Sequence, residues 1–244
     1  MKSKYLVIQT DIGSGTQWGT NQTINPIREI FMPSVEKYCK KHNYEYFLVK
    51  KSSYKHLIGD LNFLPTENKH YSFERYFHFN NDYKYTVYLD NDIYIYDDAE
   101  PFPKISGLMV AREAEGNTSS LFRELNKLDT SFGYYNSGVM FCDNLTSKYL
   151  KNYMVTRAKK NIRAKGKNSD NMMLNEFIIE NLNLLNEIEP KWNYMPFFSN
   201  YEKIQNPNFF HFVGIIGKEI LNRLQEKEIN VEFFLKELKF ENKK

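Results

Sequence analysis

The stretch Tyr85-Thr86-Val87-Tyr88-Leu89-Asp90-Asn91-Asp92-Ile93-Tyr94-Ile95-Tyr96 decides how this chain is read. Its two ends are β-branched and aromatic, the composition of buried strands, and between them stand two carboxylates one residue apart. Charges that interrupt such a run are costly to bury unless something pairs with them. A chain of this length contains roughly one Asp-x-Asp by chance, so the spacing says little and the position says more. At a strand end the pair makes a clamp for a hard divalent cation, Mg²⁺ or Mn²⁺, which takes oxygen ligands and shares them with substrate phosphates. The alternative is a polar strand-end turn, for which Asp and Asn are common residues.

Working outward, Lys4 to Thr10 reads as a first buried strand that runs into the polar, glycine-bearing loop Asp11–Gly19. A helical pattern spans about Ile27 to His42, interrupted at Pro33, and Tyr44–Val49 is a second strand. Residues 50–71 show no periodicity and read as a long loop. Ser72 is placed to cap a short helix, Phe73–Phe79, ahead of the strand that delivers Asp90. Leu108–Ala111 and Ser137–Cys142 are further strands, Lys148–Ala164 and Asp170–Asn181 are helices, and Phe209–Val213 is a late strand before a C-terminal helix. Strands alternating with helices predict a mainly parallel sheet with crossover helices, whose ligands gather at the carboxyl ends of the strands. Asp11, Asp90 and Asp92 all fall at such ends.

The 244 residues suit one large α/β domain, and a 41% hydrophobic, 16% aromatic composition supplies a core. A net charge of +3 and a pI near 8.6 do not point to nucleic acid. Two cysteines, Cys39 and Cys142, sit in apolar surroundings and read as buried thiols of a reducing compartment. The chain starts almost directly with a strand and has no run of about 18 apolar residues, so a cytoplasmic location with at most peripheral membrane contact is expected. The sequons at Asn21, Asn117 and Asn144 are then read as chance.

Four later stretches can be read with the carboxylate pair. Asn136-Ser137-Gly138-Val139 opens a strand with a small, polar mouth where a backbone or amide can approach a ligand closely. Asp170-Asn171 begins a helix with a carboxylate and an amide, which equally describes an N-cap. Lys191-Trp192-Asn193-Tyr194 sets an indole in a loop, consistent with local packing. His211 interrupts an apolar strand; such a histidine is commonly a satisfied core residue, yet imidazole is also a Mn²⁺ ligand.

In this order the stretches resemble a known family: the GT-A-type nucleotide-sugar glycosyltransferases, and within them the retaining glycogenin and lipopolysaccharide-galactosyltransferase family, with a secondary likeness to fungal α-galactosyl and mannan transferases. The strand-borne Asp-x-Asp is matched by Asp90 and Asp92, and the Asn-(Ala/Ser/Thr)-Gly-Val strand by Asn136–Val139. The helix start Asp-Gln-x-x-Leu-Asn is matched by Asp170–Asn175, with Asn171 in place of Gln, and His-Phe-x-Gly by His211–Gly214. The family lysine six residues after the histidine is displaced: Gly217 holds that place, Lys218 the next, and the Pro-Trp that follows is missing.

The resemblance implies one GT-A (Rossmann-like) α/β domain over residues 1–244, with a mixed, mainly parallel sheet flanked by helices. Residues 1–112 would be its nucleotide-binding half and 113–244 its acceptor and donor-sugar half. It implies Asp90, Asp92 and His211 as ligands of Mn²⁺ or Mg²⁺. Thr10, Asp11, Arg75, Asn91, Asn136 and Lys218 would join Asp90 around the nucleotide-sugar donor, a UDP-sugar by preference, with Asp170 and Asn171 at the reaction centre. The acceptor would be a glycan, glycoprotein or lipid-linked hydroxyl, and transfer would retain anomeric configuration. Two readings from other classes stay open. Haloacid-dehalogenase-like phosphatases also carry Asp-x-Asp at a strand end, with the first Asp as nucleophile, and a non-catalytic nucleotide-sugar or glycan-binding module fits the same residues. The basic segment Arg157–Lys167 reads as a solvated helix face or as an attraction for an anionic lipid surface. In Ile229–Phe240, Val231, Phe234, Leu235 and Leu238 share one side, which predicts docking onto the domain.

Overall fold

A computed structural model of the protein describes residues 3–11, 27–51, 71–79, 82–114, 133–163, 170–196, 206–212 and 214–226, with short pieces at 204, 230 and 233–236. Eight strands are seen among them: β1 (Tyr5–Thr10), β2 (Glu45–Val49), β3 (Tyr85–Leu89), β4 (Ile93–Ile95), β5 (Leu108–Ala114), β6 (Tyr134–Asp143), β7 (Leu185–Glu187) and β8 (Phe209–His211). Five α-helices of seven residues or more accompany them: α1 (Met32–His42), α2 (Tyr71–Phe77), α3 (Asn144–Arg163), α4 (Asp170–Glu180) and α5 (Gly214–Gln225).

Six strands form one sheet in the order β2-β1-β3-β6-β5-β7, a mixed sheet in which β6 alone runs against the others. Side chains alternate across it as the two-residue period of a strand requires. Leu6, Ile8, Tyr88, Met140 and Cys142 face a core that includes residues of α2, α3 and α4. Val7, Val87, Leu89, Val139 and Phe141 face a second core with Val35 and Tyr38 of α1, Trp192 and Phe209. With both faces covered, β1 and β3 are buried along nearly their whole length, and their polar members Gln9, Thr10 and Thr86 are buried with the rest.

The reversal of β6 has a direct consequence for the site. In a parallel strand the polar opening Asn136–Ser137–Gly138 would lie at the far end of the sheet from Asp90. Running antiparallel, β6 pairs Val139 with Leu89, and the Asp90 N–H donates to the Gly138 carbonyl (2.7 Å). A second, two-stranded sheet completes the arrangement. It pairs β4 with β8 in the register Ile93↔His211, so the strand leaving Asp92 carries His211 beside it. The Phe212 N–H donates to the Asp92 carbonyl (3.1 Å), and the His211 N–H to that of Tyr194 (2.9 Å), which brings the 190–194 turn alongside.

Several expectations need correction. The helical pattern from Ile27 to His42 keeps its bounds, and its interruption falls just ahead of Pro33: a π-helical turn over Ile27–Phe31, then α1. Pro33 has no N–H to donate into the preceding turn, and it stands in the first turn of α1, where proline is tolerated. Helix α1 ends at Asn43, a left-handed residue (φ 57°), with Tyr44 N–H closing on the Cys39 carbonyl (2.9 Å). Ser72 lies inside α2 rather than at its cap. The late strand stops at His211 and belongs to the small sheet, and β7, paired parallel to β5, went unpredicted because Leu185–Glu187 is only three residues long. The loop at 50–71 lies almost wholly outside the described residues. Cys39 and Cys142 are both buried and free, as expected; burial pushes the Cys39 thiol up to about 12. Among the described residues no helix is long and apolar enough to cross a membrane.

Candidate functional site

Asp90, Asp92 and His211 meet at the carboxyl end of β3, each offering one ligand atom, all within 4.8 Å of one another. His211 Nε2 stands 3.2 Å from Asp92 Oδ1 and 3.9 Å from Asp90 Oδ2. Asp92 and His211 are buried, while Asp90 keeps 22% of its side chain open. The contact between His211 and Asp92 has the distance of an ion pair but not the alignment of a hydrogen bond. Asp92 Oδ1 is a buried oxygen that no hydrogen bond among the described residues reaches. An unsatisfied oxygen beside an imidazole nitrogen and a second carboxylate fits a hard or borderline divalent cation, and this donor set suits Mn²⁺ or Mg²⁺. Burial alone would lower the His211 pKa; the carboxylate of Asp92, and after it Asp90, outweigh burial and raise it.

Arg75, on α2, is the hub that holds the carboxylates in place. Its guanidinium is buried, 3.0 Å from Asp90 and 3.5 Å from Asp170, donates to the Ser137 carbonyl (2.8 Å) and lies over the Tyr88 ring. Burial by itself would lower its pKa, but Asp90, followed by Tyr88, Asp170 and Tyr76, together outweigh this and raise it. Asp90 also accepts from the Tyr88 hydroxyl (2.8 Å), and Gln9 donates to its carbonyl (3.0 Å). Ser137 ties β6 to the start of α4: its hydroxyl meets Asp170 (3.1 Å) and its N–H donates to Asn171 Oδ1 (2.8 Å).

The remaining predicted residues spread more widely. Thr10 is buried, its hydroxyl 3.4 Å from that of Tyr88, and Asn91 donates to the Thr10 carbonyl (3.4 Å). Asp11 follows the end of β1, with its carboxylate engaged by Nε and Nη2 of Arg28 at 2.8–3.1 Å. Asn136 points inward and is almost fully buried. Lys218 lies on α5, and its side chain falls outside the described residues. The displaced spacing after His211 does have a structural reason. A Cβ on Gly217 would sit 2.5 Å from the Phe212 carbonyl, so the sixth place must be glycine and the lysine falls a position further round the helix.

Two contributors escaped the sequence reading. Glu113, near the end of β5, accepts from Asn136 (3.3 Å) and Asn171 (3.5 Å), and burial raises its pKa against the effect of the Asn136 bond. Asn193, fully buried, reaches His211 Nδ1 (2.9 Å) and Asn136. An acidic residue closing a strand at the carboxyl edge was the available signal for Glu113. Nothing local marked Asn193. Gly138 was expected to admit a ligand, but the imidazole fills the space: an added Cβ would overlap His211 Cε1 and come within 2.9 Å of Asp90 Oδ2. Trp192 packs locally, as expected, edge-on to Phe209. Arg157, the described part of the basic segment, ties α3 to Glu176 and Glu180 of α4 at 3.4 and 3.3 Å.

No protein-family model and no curated protein matches the chain. Solved structures do. One is a glycosyltransferase involved in the glycosylation of the major capsid of PBCV-1, similar over 91% of this chain and 98% of that one, with 14% identity and a TM-score of 0.57. Another is the galactosyltransferase LgtC in complex with donor and acceptor sugar analogues, similar over 93% and 98%, with 11% identity and a TM-score of 0.50. At these identities the likeness is one of fold: a single α/β domain of the GT-A glycosyltransferase type.

Proposed function

We propose that the protein transfers a sugar from a nucleoside-diphosphate sugar to a hydroxyl acceptor in a metal-dependent reaction. The observation that carries this reading is the Asp90–Asp92–His211 cluster at the carboxyl end of β3 within a GT-A fold, where open α/β sheets bind their ligands. Asp90, Asp92 and His211 would hold Mn²⁺ or Mg²⁺. Such a cation supplies Lewis acidity and offsets the charge of a diphosphate leaving group.

The other residues follow from their places. The β1 end, with Thr10, Asp11 and Asn91, borders the nucleotide in the half formed by residues 1–112. Asp170 and Asn171 open α4 toward the sugar, where the helix start favours negative charge. Arg75 separates the Asp90 and Asp170 carboxylates and keeps both in place, and Asn136 and Lys218 complete the donor surroundings. Retention of configuration and a preference for UDP-sugars accompany this reading through the family resemblance, as do a glycan, glycoprotein or lipid-linked acceptor and a cytoplasmic location. The phosphatase alternative requires Asp90 as a free nucleophile, whereas Arg75 and the Tyr88 hydroxyl both engage its Oδ1.

The test is a panel of UDP-, GDP- and TDP-sugars with Mn²⁺, reading nucleotide release by mass spectrometry with and without EDTA. Release that EDTA abolishes is expected for one base. Metal-independent release defeats the proposed clamp, and binding without turnover leaves the non-catalytic module in its place.

A further inference from the structure

We propose that Asn193 is a positioning residue that holds His211 as the neutral Nδ1–H tautomer, which leaves a free lone pair on Nε2, the ring nitrogen on the side of Asp90 and Asp92. The inference rests on the metal-binding reading of that cluster and concerns how the protein prepares it.

The orientation of every amide follows from one backbone donor. The Gly138 N–H can only donate, and the atom it meets is Asn136 Oδ1 (2.8 Å). The Asn136 amide nitrogen therefore faces the other way, toward Glu113 Oε2 (3.3 Å). Asn136 Oδ1 also lies 3.3 Å from the Asn193 amide, which must present Nδ2 there, because two carbonyl oxygens would repel. That choice turns Asn193 Oδ1 onto His211 Nδ1 at 2.9 Å. An oxygen that only accepts requires the ring nitrogen to donate, so Nδ1 carries the proton and the neutral ring keeps its lone pair on Nε2. Nε2 is the atom 3.2 Å from Asp92 and 3.9 Å from Asp90. Gly138 contributes a second constraint by leaving room for His211 Cε1 against β6. Ligating histidines are held in this way through their second nitrogen, and loss of the partner weakens metal affinity about 10–100-fold.

The backbone explains how Asn193 comes to this place. Its N–H donates to the Pro190 carbonyl (3.1 Å), closing a short turn, and the bonds of Tyr194 to β8 set the turn beside His211.

The experiment uses the full chain with ¹⁵N-labelled histidine, free of metal and at a pH where His211 is neutral. Long-range ¹H–¹⁵N correlation identifies the protonated ring nitrogen. Nδ1–H is expected in the wild type, and Asn193→Leu, of similar volume but without an acceptor, is expected to mix the tautomers. Calorimetric titration with Mn²⁺ should show affinity lowered about 10–100-fold in Asn193→Leu. A wild-type ring protonated on Nε2 overturns the proposal, as does a folded Asn193→Leu that keeps both tautomer and affinity. If the variant does not fold, the wild-type spectrum decides alone. A chain that transfers no sugar but shows the Nδ1–H ring and asparagine-dependent Mn²⁺ binding refutes the transferase reading and supports this one.

Discussion

The two ends of β6 both carry buried or half-buried carboxylate chemistry, and they are built in opposite ways. At its C-terminal end, Asp143 accepts from the Gly107 N–H (2.7 Å) and the Thr146 N–H (2.8 Å), capping α3 and pinning the start of β5. Burial would raise its pKa, but these backbone donors overcome that and lower it. At the opening of β6 the carboxylates of Asp90, Asp92 and Asp170 meet a guanidinium, a hydroxyl and an imidazole, and Asp92 Oδ1 is left without a hydrogen bond. The first end is saturated by donors that cannot leave, so it serves stability. The second keeps an unsatisfied oxygen beside other ligand atoms, which is the condition for binding something. Residue type alone does not separate a structural Asp from a candidate ligand Asp; the supply of backbone N–H groups does.

Replacing Arg75 with Met tests the opening end most severely. It leaves Asp90 and Asp170 without their shared cation, and a loss of about 3–5 kcal/mol is expected in urea unfolding. A loss below about 1 kcal/mol would show that the hub is not needed to hold the carboxylates together. Asp92→Ala should cost on the order of 10²-fold or more in metal-dependent transfer, about 2.7 kcal/mol in the transition state, while the melting temperature holds. Full activity in this variant and in Asp90→Ala would remove the functional side of the comparison.

Gly138→Ala pushes against the imidazole, so a loss of about 1–3 kcal/mol in stability is expected, together with weakened Mn²⁺ binding by calorimetry. Normal Mn²⁺ affinity would mean that His211 moves aside freely. The smallest effect belongs to the other end. Asp143→Ala should cost about 1 kcal/mol of stability and leave Mn²⁺ affinity unchanged. Its pH signature has a definite sign. A carboxyl whose folded pKa lies below its unfolded one stabilises fully above the usual carboxylate range and loses that contribution as pH falls through the folded value. The gap between wild type and Asp143→Ala should therefore close in acid. A gap that persists at low pH would assign the effect to packing.

Much of the sheet was legible because buried strands announce themselves. Tyr5–Thr10 and Tyr85–Leu89 are mainly apolar and buried, and the structure places them as adjacent parallel strands. The helix at Asp170 was legible to within a residue. The small elements were not. Three-residue β7, β4 and β8 carry no period long enough to read, and their partners are 77 and 118 residues away by the registers Leu108↔Leu185 and Ile93↔His211. For the same reason Asn193 passed as part of a loop, although it is fully buried against His211.

By itself the sequence determined which groups could make the candidate site: two carboxylates behind an apolar run and an imidazole in a later one. Local composition suffices there, because charge and burial are properties of individual residues and their immediate neighbours. The tertiary structure decided what those groups do to one another. Reversal of β6 brought Ser137 and Gly138 to Asp90, the β4–β8 pairing brought His211 to Asp92, and the turn at Pro190 brought Asn193 behind the ring. Hydrogen-bond register between distant strands set each of those meetings, and register is settled only when both partners are folded together.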